Sequence, residues 1–100
     1  MSADIRAQAL ERLKRILSTH LAGCGARVWL FGSMATGQWN RFSEIDVAVD
    51  AGGRLPPGLR ADLEEALEES TIPYHVDLMD LADADEALRA SILREGVRWL

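Results

Sequence analysis

The chain has 100 residues, 48% hydrophobic and 27% charged, with a formal net charge of −5 from 11 basic and 16 acidic groups. That composition excludes a disordered, low-complexity or repeat-array chain, and the length amounts to a single domain over residues 1–100 that buries roughly two-thirds of its unfolded surface. The acidic balance argues against a nucleic-acid binder, which needs a basic face.

The elements follow from periodicity. Ile5, Leu10, Leu13, Ile16, Leu17 and Leu21 recur near the helical period, so residues 4–22 are predicted helical, stopped by Gly23 and Gly25. Arg27-Val28-Trp29-Leu30-Phe31 is a predicted strand that ends abruptly at Gly32-Ser33. A short helical turn over Met34 to Gly37 and a polar loop through Ser43 follow. Residues 44–50 alternate, with Ile45, Val47 and Val49 on one side and Glu44, Asp46, Ala48 and Asp50 on the other. Glycines and prolines over residues 52–58 mark a loop, and residues 57–69 a second helix with Leu59, Leu63, Ala66 and Leu67 inward. Tyr74 to Met79 is the third strand. Asp83 is the expected cap of a last helix over residues 84–95, with Leu88, Ile92 and Leu93 buried and Gly96 ending it. Val97-Arg98-Trp99-Leu100 is read as a short edge strand or a docking tail. The expected fold is α/β (α+β), a small mixed sheet with helices mainly on one face and odd polar residues on the other.

The charge is uneven: residues 1–54 carry 7 basic and 5 acidic groups, residues 55–100 carry 4 and 11. A solvated helical face explains most of the acidic excess. Cys24 is the only cysteine, which excludes an intramolecular disulfide and a thiolate zinc site. No apolar run approaches the roughly 18 residues of a membrane span, and Met1-Ser2-Ala3-Asp4 does not begin a signal peptide. A reducing cytoplasm is the expected location.

Three acids stand out because they sit on strands. Glu44 and Asp46 point to the same side, about 7 Å apart along the strand, and repel each other unless a cation lies between them. Asp77, flanked by Val76 and Leu78, joins them if its strand is the neighbour. Three carboxylates at one point form a hard oxygen site suited to Mg²⁺ or Mn²⁺, and two such ions serve in-line phosphoryl transfer. Gly32-Ser33, between a strand and a helical turn, lets a phosphate approach backbone amides and the Ser33 hydroxyl. Metal-holding acids and a phosphate-holding turn together suit a metal–nucleoside triphosphate.

The joint pattern is Phe31-Gly32-Ser33, ten intervening residues, Glu44-Ile45-Asp46-Val47, then Val76-Asp77-Leu78. It resembles the nucleotidyltransferase superfamily of the DNA polymerase β type, most closely its minimal single-domain prokaryotic members. The closing Arg94-Glu95-Gly96-Val97 adds to the resemblance, which covers nearly the whole chain. The resemblance implies an enzyme that moves AMP from ATP to an acceptor hydroxyl. Gly32 and Ser33 would bind the nucleotide, Glu44, Asp46 and Asp77 the metal, and Asp77 would help deprotonate the acceptor. It also implies a partner in trans, an all-helical HEPN-type protein encoded nearby, as in toxin–antitoxin pairs where the transferase is the antitoxin; apolar residues left without cover predict such a complex or self-association. The family's first acid is usually Asp, and Glu44 displaces the carboxylate by roughly 1.5 Å, a shift of the size to which catalysis is sensitive. The alternative is a binding module of the same fold that neutralises its partner by contact; a small-molecule adenylyltransferase fits less well, with no acceptor domain in evidence.

The remaining residues read as structural or supporting. His20 lies near a helix end, where a cation is favourable. His75 alternates with Asp77 and so is placed to support the site. Arg41 is within loop reach of a phosphate. Asp50 is a strand-end acid and Asp80 a turn acid. Trp29 and Trp99 are read as core or interface rather than base-stacking platforms, and Trp39, Trp99 and Leu100 as apolar residues left for a partner. No Walker A motif, Rossmann glycine pattern or catalytic triad is present.

Overall fold

Leu13, Leu17 and Leu21 are all buried, a stripe along one side of the first helix, α1 (Ser2–Leu21). The structure, a computed structural model, describes residues 2–32, 35, 37 and 44–100. The helix ends where Gly23 and Gly25 take φ of +81° and +68°, and the Cys24 amide donates to the Leu21 carbonyl at 3.1 Å. His20 donates from Nδ1 to the Ile16 carbonyl at 2.9 Å, which engages the ring within its own helix.

After α1 come β1 (Arg27–Phe31), β2 (Ile45–Asp50), α2 (Pro57–Glu69), β3 (Val76–Asp80), a 3₁₀ turn (Leu81–Asp83), α3 (Glu86–Glu95) and β4 (Val97–Arg98). The sheet order is β3-β2-β1-β4. The β1–β2 and β1–β4 pairs are antiparallel, whereas β2–β3 is parallel and is joined through α2, as a parallel pair requires. Strand pleating then sorts the side chains. Val28, Leu30, Ile45, Val47, Val49 and Leu78 face α1 and α2 and form the main core with Leu63.

The helices α1 and α2 share one face, as expected for a sheet with helices mainly on one side. The opposite face is less bare than its polar residues suggest. Trp29 and Ala48 meet Leu81 and Ile92 there, because the 3₁₀ turn and α3 fold back over that half of the sheet. Among the described residues, only the end carrying the acidic residues is left uncovered.

Leu93, expected to be buried in the last helix, is 49% exposed, while Ile92 beside it is buried. The cap of α3 is Asp85, whose side chain accepts from the Leu88 amide at 2.8 Å, and not Asp83. The 3₁₀ turn intervenes, capped by Asp80, and carries the helix start two residues onward. Trp99 and Leu100 are half-buried and pack on the main core, with the Trp99 amide donating to the Val28 carbonyl at 2.8 Å, so Trp99 is a core residue as one reading of the sequence had it, and neither is left without cover. The segment is an edge strand, and Arg98 stacks over the Trp29 ring at 5.8 Å. Gly96 makes the tight α3–β4 junction possible: a Cβ there would stand 2.5 Å from the Ile92 carbonyl oxygen and 3.2 Å from that of Leu30. No helix among the described residues is long and apolar enough to cross a membrane.

Candidate active site

The acidic cluster is assembled by register. Asp46 is the second residue of β2 and Asp77 the second of β3, and the parallel pairing sets them side by side on the open face. Phe31 flanks Asp46 on the other side, across β1. Glu44 enters just before β2. The three carboxylates each offer an oxygen, and these oxygens all lie within 4.8 Å of one another. Glu44 and Asp77 are exposed and Asp46 is half-buried.

The electrostatics follow from this packing. The Asp46 carboxyl is held above its ordinary pKa of 3.8, first by burial, then by the negative charges of Asp77 and Glu44, with His75 pulling the other way. A carboxylate crowded by two others is a centre of repulsion that a divalent cation relieves. Three hard oxygen donors without sulfur or a nitrogen ligand fit Mg²⁺ or Mn²⁺.

Gly32 completes the local design. It ends β1 with φ of +75°, and a Cβ at this position would fall on Asp46 Oδ2. Backbone therefore approaches the carboxylate where any side chain would displace it. The Ala35 amide donates to the Gly32 carbonyl at 3.1 Å, which turns the chain beside the acids. Ser33, Arg41 and Trp39 lie outside the described residues, as do Met34 and Thr36 of the expected turn.

Of the residues singled out in the sequence, Gly32, Glu44, Asp46 and Asp77 are thus brought together. His75 lies just before β3, exposed, and its carbonyl accepts from the Ile45 amide at 2.9 Å. Asp80 is apart from them, on the core face, and only 2% exposed. Its Oδ2 accepts from the Leu55 amide at 2.8 Å and its Oδ1 from Ala82 at 3.1 Å, so it ties the loop after β2 to the end of β3. Its burial was not legible from a turn-like context. Arg60, unremarked in the sequence, bonds Glu64 at 3.0 Å and the Leu78 carbonyl at 3.2 Å beside β3.

A small mixed sheet with an acidic triad at the start of its parallel pair, faced by a glycine at the end of β1, is the architecture of nucleotidyl-transfer domains. The family model "Polymerase beta, Nucleotidyltransferase" matches residues 11–99, and the chain belongs to that family of enzymes. It is 35% identical over 89 residues to a probable protein adenylyltransferase MntA of Haemophilus influenzae, covering 89% of this chain and 76% of the relative. It is 36% identical over 69 residues to the protein adenylyltransferase MntA of Shewanella oneidensis, covering 69% of this chain but only 49% of that relative. A crystal structure of a toxin–antitoxin complex with AMP-PNP contains a chain similar to this one, with a TM-score of 0.69 and 29% identity over 87% of this chain and 72% of the other.

Proposed function

We propose that this protein transfers AMP from ATP to a hydroxyl of a helical, HEPN-type partner in the cytoplasm, as one member of a toxin–antitoxin pair. The observation that carries the reading is the convergence of Glu44, Asp46 and Asp77, their oxygens within 4.8 Å, beside a glycine that admits no side chain. The protein adenylyltransferase relatives and the complex with AMP-PNP support AMP as the group and a toxin as the partner.

Glu44, Asp46 and Asp77 would hold Mg²⁺, which when bound neutralises phosphate charge and favours departure of pyrophosphate. Gly32, with Ser33 after it, gives the triphosphate a backbone surface to lie against. Asp77 is exposed, at the rim of the cluster, so an acceptor approaches from its side. The acceptor oxygen forms a bond to the α-phosphorus as the bond from that phosphorus to the leaving pyrophosphate breaks. The hydroxyl proton passes to the Asp77 carboxylate and then to water. His75 favours the ionised form of Asp46 and so helps keep the cluster anionic. The rest is positioning and charge neutralisation.

The test is co-expression with the product of the neighbouring gene, followed by intact-mass measurement after incubation with ATP and Mg²⁺. One or more added AMP groups on the partner are expected, with none for Asp46→Asn or Asp77→Asn and retained or higher transfer for Glu44→Asp. Co-purification without any mass change leaves neutralisation by contact as the better account. Failure either to associate or to react removes the paired reading and makes a small molecule the leading acceptor.

A further inference from the structure

A groove of about 530 Å³ runs along the outer edge of β3, opposite the strand's contact with β2. One wall is α2, through Arg60, Glu64, Leu67 and Glu68; the other is the strand itself, at Val76 and Leu78. The groove also touches His75 and Asp77, so it opens directly onto the acidic cluster.

Backbone geometry shows what this edge offers. The His75 carbonyl accepts from Ile45, so it points toward β2. By alternation, the N–H and C=O of Val76 and Leu78 point outward. Arg60 confirms the direction, since it reaches the Leu78 carbonyl from the groove side at 3.2 Å. Among the described residues no strand lies beyond β3, and an edge of this kind is a template for an added strand.

We propose that the groove docks the acceptor protein as an extended, basic segment, added as a strand beside β3, with its hydroxyl-bearing residue set next to Asp77. The inference rests on the transferase reading above and names how its substrate is held. On the open face, Phe31, Asp46 and Asp77 already form one row across three strands. An added strand extends that row by one place at the usual spacing of about 4.8 Å. Its side chain there points to the same face as the acids, and its neighbours before and after point into the groove. The groove wall carries Glu64 and Glu68 against a single Arg60 that Glu64 and Leu78 already engage. Lysine or arginine beside the hydroxyl residue therefore meets complementary charge, and an apolar side chain meets Leu67. A second copy of this chain is disfavoured on the same edge, because it would bring Glu64 and Glu68 against their own counterparts.

The probe is a synthetic blocked heptapeptide, Gln-Lys-Gln-Val-Tyr-Lys-Gln, which places valine and lysine in the groove when tyrosine sits beside Asp77. It is titrated into the isotopically labelled full chain with ATP and Mg²⁺ present. Expected are amide shifts at Val76, Leu67 and Glu68, slowed exchange of the Val76 amide, and AMP on the tyrosine by mass. A peptide with glutamate for both lysines, and one N-methylated at both valine and tyrosine, which removes the N–H that faces β3 in either strand direction, should each bind at least about tenfold more weakly. In the protein, Val76→Pro removes one outward N–H at a position where an edge strand accepts proline and should weaken binding about as much. Glu68→Lys, an exposed substitution that spares the fold, should weaken it and flatten its salt dependence.

The inference is overturned if ATP binds with metal yet the peptide leaves Val76 and Leu67 unmoved, or if the glutamate peptide binds equally well. It is also overturned if ATP alone shifts Val76 and Leu67 and displaces the peptide, for the groove then belongs to the nucleotide. Peptide binding in the groove without metal-dependent ATP binding supports the docking surface and removes the transferase reading instead.

Discussion

At the scale of single residues, the half-buried Asp46 is the point of greatest tension. Its carboxyl titrates above 3.8 in the folded chain, chiefly through burial and the charges of Asp77 and Glu44. The native state thus binds this proton more tightly than the unfolded state. Its contribution to stability is full below pH 3.8 and is lost as pH rises through the raised native value. Asp46→Asn carries no such titration. In metal-free buffer the variant should gain stability relative to the parent as pH rises through that window and hold the gain above it, as followed by urea midpoints. A flat difference across pH would show that the repulsion is not felt. Gly32→Ala is expected to lower stability by about 1–3 kcal/mol, because it combines a φ of +75° with a Cβ on Asp46 Oδ2. Chemical denaturation measures that loss, and calorimetry should find weaker Mg²⁺ binding with it.

At the scale of elements, Asp80 acts as a clasp. It receives amides from Leu55 and Ala82 while 2% exposed, and so joins the loop ahead of α2 to the 3₁₀ turn ahead of α3. Asp80→Ala leaves the Leu55 amide buried without its acceptor and should cost about 1–3 kcal/mol in urea unfolding. Asp85→Ala should cost about 1 kcal/mol and Asp83→Ala less, since only Asp85 caps α3. These cases mark where sequence patterns run out. The apolar alternation of Ile45, Val47 and Val49 located β2, and the spacing of Leu13, Leu17 and Leu21 located α1, because burial on one side leaves a period in the chain. Asp80, Asp83 and Asp85 all have the chemistry of a cap. Which one starts a helix depends on where β3 ends, and that is settled by its pairing with β2. The acidic cluster was legible in part for the same reason. Two acids on one strand share a face by periodicity alone, but Asp77 joins them only through strand order. Arg60 gave no local sign of its place beside β3, since a helical arginine among glutamates looks like any solvated one.

At the scale of the whole molecule, the sheet carries two cores of unequal size. Leu13 is wholly buried in the larger one and Ile92 nearly so in the smaller, over which α3 folds. Leu13→Ala and Ile92→Ala should each cost about 2–5 kcal/mol. The second would loosen the layer that covers the Trp29–Ala48 half of its face. The alliance of Asp46 with Asp77 has a thermodynamic corollary. The two residues are brought together only by closure of the β2–α2–β3 unit, so the unfolded chain has no equivalent for an ion to occupy. A divalent ion that binds the cluster would then act as a folding ligand by mass action. Each tenfold rise in its concentration above the dissociation constant should add about 1.4 kcal/mol per ion taken up. The melting temperature against the logarithm of Mg²⁺ concentration becomes a counting device: its slope distinguishes one resident ion from two, and a line without slope denies the cluster any metal at all.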